Sequence, residues 1–103
     1  MGLFITSVST PAAPGTATLS SVSVTTTSGI VLAANVNRIK FSIWNAGTKP
    51  VFLAFAATAS TSAFTVNLPV NALYESDLND YTGDISAVTS AGTSTVKVTE
   101  ETA

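Results

Sequence analysis

The chain has 103 residues, four basic and six acidic side chains for a formal net charge of −2, and neither cysteine nor histidine. That length fits one domain. Four scattered cations, Arg38, Lys40, Lys49 and Lys97, do not make the clustered positive charge that nucleic acids or anionic membranes require. Without Cys or His the chain has no disulfide staple, no thiolate nucleophile, no imidazole base and none of the commonest zinc ligands.

Charged residues make up 10% of the sequence, against about 25% in an ordinary soluble chain. Ser and Thr fill much of the difference. The expected surface is rich in hydroxyls, close to neutral and easily desolvated against a partner. A domain of this size buries only about 60–70% of its unfolded surface, so association with further copies is expected to add stability.

Residues 1–16 read as an extended N-terminal arm. Phe4 and Ile5 lie in a short apolar run, and Pro11 and Pro14 fix φ and remove backbone donors. The first residues lack the basic flank and apolar length of a signal peptide. Met1-Gly2 followed by Thr6 reads as an initiator and a short strand rather than a myristoylation signal. No stretch is long and apolar enough for a membrane helix.

Residues 17–103 read as a single β-sandwich domain. Val22, Val24 and Thr26 alternate with Ser23 and Thr25, and β-branched residues dominate. Gly29 punctuates, and Ile30-Val31-Leu32 forms a second run. Asn35-Val36-Asn37 is a turn signal. Ile39, Phe41 and Ile43 then share one strand face, with Lys40, Ser42 and Trp44 on the other.

Residues 45–50 read as a loop. Val51, Leu53 and Phe55 follow as a hairpin partner for residues 39–44. Residues 57–63 form a loop, and Phe64, Val66 and Leu68 a strand ended by Pro69. Ala72 to Glu75 is a short strand, and residues 76–83 a polar turn region. Ile85, Ala87 and Thr89 form one strand face, and Val96 and Val98 another, before a tail at residues 100–103. No helical stripe with caps is present. Seven or eight short strands predict an all-β fold, an antiparallel β-sandwich or a jelly-roll-like domain.

The sequence offers little catalytic chemistry. No Ser sits in a Gly-x-Ser-x-Gly elbow. Glu75, Asp77, Asp80 and Asp84 lie within ten residues. Carboxylates so grouped could ligate Ca²⁺ or act as a glycosidase pair, but a solvated turn accounts for them without either. The expectation is a chain that is not an enzyme and holds no cofactor or metal. Trp44, Tyr74 and Tyr81 are candidates for a sugar-stacking platform, a subunit interface or a second packed face. Arg38, opening the strongest strand, is expected to pair with Glu75, Glu100 or Glu101.

Several segments together resemble small β-domains of structural proteins from tailed bacteriophages. They are residues 31–38 (Val-Leu-Ala-Ala-Asn-Val-Asn-Arg), 43–47 (Ile-Trp-Asn-Ala-Gly), 51–55 (Val-Phe-Leu-Ala-Phe), Tyr74-Glu75, 81–85 (Tyr-Thr-Gly-Asp-Ile) and 96–100 (Val-Lys-Val-Thr-Glu). Their order spans residues 30–101. Such domains often carry Pro where this chain has Val36.

The resemblance implies a viral protein of the virion, most similar to a head decoration (cement) protein. Such a protein sits on the capsid surface, contacts the major capsid protein and stabilises contacts between capsomers. A tail or fibre component acting as a receptor- or carbohydrate-binding module is the alternative. Under the first reading the chain is expected to form a homo-oligomer, with a homotrimer favoured. Phe4, Ile5, Pro11, Pro14, Arg38, Trp44, Tyr74 and Tyr81 are then its candidate interface residues.

Overall fold

The computed structural model describes residues 15–103. The candidates Phe4, Ile5, Pro11 and Pro14, and with them most of the expected arm, lie outside the described residues.

Eight strands follow in order: β1 Thr16–Val24, β2 Gly29–Leu32, β3 Arg38–Asn45, β4 Val51–Ala54, β5 Val66–Leu68, β6 Leu73–Glu75, β7 Ile85–Val88 and β8 Ser94–Thr102. They form two four-stranded sheets, ordered β1-β8-β3-β6 and β2-β7-β4-β5. Every pairing is antiparallel. Strand β1 pairs with β8, β2 with β7, β3 with β6 and β4 with β5. This is one long hairpin of four strand pairs. Rolling it up brings β3 against β8 and β4 against β7, which is jelly-roll connectivity.

Alternation places the core. Phe41 and Ile43 of β3, Val51 and Leu53 of β4, Ile85 of β7, and Val96 and Val98 of β8 are at most 1% exposed. Each such side chain contributes roughly 1.5–3 kcal/mol by leaving water. Four aromatic rings close one end of the core. Phe41 lies 5.8 Å from both Phe55 and Tyr74, and Phe55 stacks on Tyr81 at 5.0 Å.

Two sequence expectations are corrected here. Strand β4 is not the hairpin partner of β3; it lies in the opposite sheet, between β5 and β7. The link between β3 and β4 is a corner between sheets, pinned by Asn45. That side chain is fully buried. Its amide donates to the carbonyls of Lys49 (2.8 Å) and Leu68 (3.0 Å), and its oxygen accepts from Gly47 N (3.1 Å) and Ser94 Oγ (2.8 Å). Both donors and both acceptor positions are used. Gly47 is required at this corner, because a Cβ there would collide with Ser94 Oγ and the Thr95 amide.

The second correction concerns residues 100–103. Glu100, Glu101 and Thr102 are not a free tail but the end of β8, paired with β1 on one side and β3 on the other.

Replacing Asn45 with Ala leaves two carbonyls and two donors of this corner without their partner. The expected loss is about 3 kcal/mol, read as a lower denaturation midpoint at unchanged slope in urea unfolding.

Candidate functional site

The two outer faces of the sandwich differ. On the β2-β7-β4-β5 sheet, the outward side chains of Ile30, Ser86 and Ala54 form one row, and Val88, Phe52 and Asn67 another. This face is largely apolar, and the chain covers part of it with its own β4–β5 loop. Ala59 of that loop is 4% exposed and packs with Ala54 and Val88. Its amide donates to Ser28 Oγ at 2.8 Å. Phe64 sets its ring against Phe52 at 4.9 Å rather than continuing β5, where its alternation with Val66 and Leu68 would place it. This cover explains why all four residues of β7 are buried.

Among the described residues no loop covers the outer face of the β1-β8-β3-β6 sheet. Three rows of its outward side chains are Ser21, Lys97, Trp44 and Leu73; then Leu19, Thr99, Ser42 and Glu75; then Ala17, Glu101 and Lys40. Trp44 is 40% exposed, Leu73 58% and Leu19 77%. Two cations and two anions share the face. Lys40 Nζ pairs with Glu75 Oε2 at 3.2 Å, and Lys97 Nζ donates to Ser21 Oγ at 3.2 Å. An exposed Trp beside a Leu, ringed by small hydroxyls and balanced charge, has the composition of a protein interface.

The three candidate aromatics do not share a surface. Tyr74 stands opposite Ile43 and points inward, where it stacks on Phe41. Tyr81 packs against the core and donates its hydroxyl to Asp84 O at 2.8 Å. Trp44 points the other way. No three-ring sugar platform is formed.

Arg38 is also drawn inside, at 3% exposure. Of its three expected partners it takes Glu100, with Nε 2.9 Å from Oε2. Its other nitrogens donate to the carbonyls of Tyr81, Gly83 and Ala33, and its guanidinium carbon lies 5.7 Å from the Phe41 ring centre. One side chain thus ties β3 to β8 and to the loops before β3 and before β7. Gly83 permits this packing, since a Cβ there would sit 2.5 Å from the Tyr81 hydroxyl.

The acidic residues disperse. Glu75 pairs with Lys40, and Asp84 Oδ1 accepts from Ala34 N at 2.8 Å. Among the described residues no group of three or more His, Cys, Asp or Glu is placed to hold a metal ion. Asp80 and Asp77 do act on Tyr74. Burial of that phenol, followed by the negative charge of Asp80 and then Asp77, holds its pKa above the ordinary 10.0.

Compared with known proteins, the chain matches no family model, no curated protein and no solved structure.

Two outcomes are expected from this geometry. Arg38→Met strands the Glu100 carboxylate and three carbonyls, at a cost of about 3–5 kcal/mol, measurable by chemical denaturation. For Tyr74, the folded state holds the phenol proton more tightly than the unfolded chain does. Its contribution to stability is complete below the ordinary pKa of 10.0 and is lost as pH rises through the elevated folded value. Unfolding midpoints taken from neutral to alkaline pH should fall less steeply in Tyr74→Phe than in the parent. Equal slopes would remove Tyr74 as the titrating group.

Proposed function

We propose that the chain is a virion structural protein of a tailed bacteriophage. In this reading it is a decoration protein that binds the outer surface of the head, contacts the major capsid protein and holds neighbouring capsomers together. The observation that carries the reading is the asymmetry of the two outer faces. One sheet is partly sealed by the chain's own loop, which still leaves Ile30 43% and Phe64 42% exposed, whereas the other has no such cover among the described residues and leaves Trp44, Leu73 and Leu19 in water among balanced charges. A ligand that binds only the assembled shell stabilises that state by mass action. A stiff jelly roll with one adhesive face suits such a task.

Jelly rolls occur in viral capsid domains and in lectins alike, so the architecture supports the reading only by analogy. The resemblance of the residue order to that of phage structural domains is the remaining support. The rival reading, a receptor- or carbohydrate-binding module of a tail or fibre, calls for three aromatic rings on one surface and retains Trp44 alone.

The test is the copy number of the chain in purified virions, relative to the major capsid protein. The expected result is a ratio of the same order. The double variant Trp44→Ser/Leu73→Ser should lower occupancy on the head while leaving the melting temperature of the free protein nearly unchanged. A few copies per particle would transfer the protein to the tail or a vertex. Absence from particles would end the proposal.

A further inference from the structure

Among the described residues four strands lie at sheet edges: β1 and β6 in one sheet, β2 and β5 in the other. Three of them are short, with three residues in β6, four in β2 and three in β5, and β2 is interrupted by a register shift. Strand β1 has nine residues and pairs with β8 in unbroken register from Thr16 to Val24. Its sequence, Thr-Ala-Thr-Leu-Ser-Ser-Val-Ser-Val, contains no charge and no proline. Proteins ordinarily blunt an open edge with Lys, Pro, a bulge or brevity, and β1 uses none of these. Thr16 to Ser21 are exposed on both faces, and only Val24 is buried.

We infer that the β1 edge is a docking surface for a second copy of this chain. Two β1 strands pair antiparallel across a two-fold axis and join their sheets into one of eight strands. The side chains favour this occupant. A symmetric pairing over Thr16 to Val22 centres on Leu19, the most exposed large apolar residue of the strand at 77%, and places it against its own copy. Thr18 then faces Ser20, and Ala17 faces Ser21.

Charge complementarity points the same way. Lys97 stands next to Ser21, and Glu101 next to Ala17. Lys97 already leans over Ser21, to which it donates at 3.2 Å, towards the open edge. Across the axis, Ser21 faces Ala17 of the second copy, and beyond that small residue lies the second copy's Glu101. Lys97 and Glu101 thus approach each other over two small side chains, and the axis repeats the pair. The contact is isologous. It puts a two-fold association in place of the homotrimer favoured under the capsid reading, and the pairing itself does not depend on that reading.

Because the chain contains no cysteine, a single introduced thiol reports the register. Directly opposed residues in antiparallel strands have Cβ atoms about 4.5–5.5 Å apart, close to the separation of about 3.5–4.5 Å that a disulfide spans. Full-length Leu19→Cys should form a disulfide-linked dimer on mild oxidation. Full-length Ala17→Cys, also exposed but opposed by Ser21, should not. By sedimentation the parent should be dimeric at high micromolar concentration, and Lys97→Glu should weaken association several-fold. Adding Glu101→Lys to that variant should restore it. A monomeric parent, equal crosslinking at both positions or no rescue by the charge swap would overturn the inference. So would failure of the Leu19→Cys variant to crosslink, the result expected if residues preceding Gly15 occupied the edge instead.

Discussion

The fold depends on holding β3 in register, and two buried polar side chains at its ends do this. Apolar burial is non-directional and would reward many nearby arrangements of the same strands. Arg38 and Asn45 are less tolerant. Slipping β3 by one residue would turn each to the opposite face. Three carbonyls and a carboxylate would then lose their donor at one end, and two carbonyls, a hydroxyl and an amide would lose their partner at the other. Each buried polar group left in that state costs about 1–3 kcal/mol, against a total stability on the order of 5–15 kcal/mol. The two pins also sit where connections cross between sheets. They therefore fix which strand enters which sheet as well as the position of β3.

This explains which parts of the structure are legible in the sequence. The alternation of Ile39, Phe41 and Ile43 with Lys40, Ser42 and Trp44 assigns the correct faces, because side-chain period and burial are local properties. Sheet membership is not local. Strands β3 and β4 are separated by a turn-rich segment that suits a hairpin as well as a corner, and the carbonyls that make it a corner belong partly to β5. Asn45 heads an Asn-Ala-Gly run, which signals a turn equally well when its amide is buried and fully bonded. Glu100 to Thr102 look like a polar tail because the residues that need them, Arg38 and Lys40, lie some sixty positions earlier.

The site residues divide in the same way. Arg38 stands out in the sequence as a cation in need of a carboxylate, and the structure selects Glu100 from its three possible partners. Its proximity to Tyr81 and Gly83 brings together elements that sequence spacing keeps apart. For Tyr74 and Tyr81 the sequence leaves a sugar platform, an interface and a packed face open, and both rings complete the cluster begun by Phe41 and Phe55. Leu19 and Leu73 carry no functional signal in the sequence. Each is a lone apolar residue among polar ones, and only the rows of the assembled sheet show that Leu73 stands beside Trp44 and that Leu19 shares its face.

The open face and the open edge belong to the same sheet, and this constrains how they act together. Pairing at β1 leaves the outward side of β8, β3 and β6 uncovered, so a two-fold pair keeps both copies of Trp44 and Leu73 available on one extended surface. Five strand spacings separate the two tryptophans, a lateral distance of about 24 Å. Two weak patches held that far apart on a stiff sheet gain by effective concentration when the target repeats at a matching interval, and gain nothing on an isolated subunit. A capsid lattice is a repeating target of this kind. On the proposed reading as a head-binding protein, the same small, charge-poor domain would then distinguish an assembled shell from its free subunits without any single strong contact.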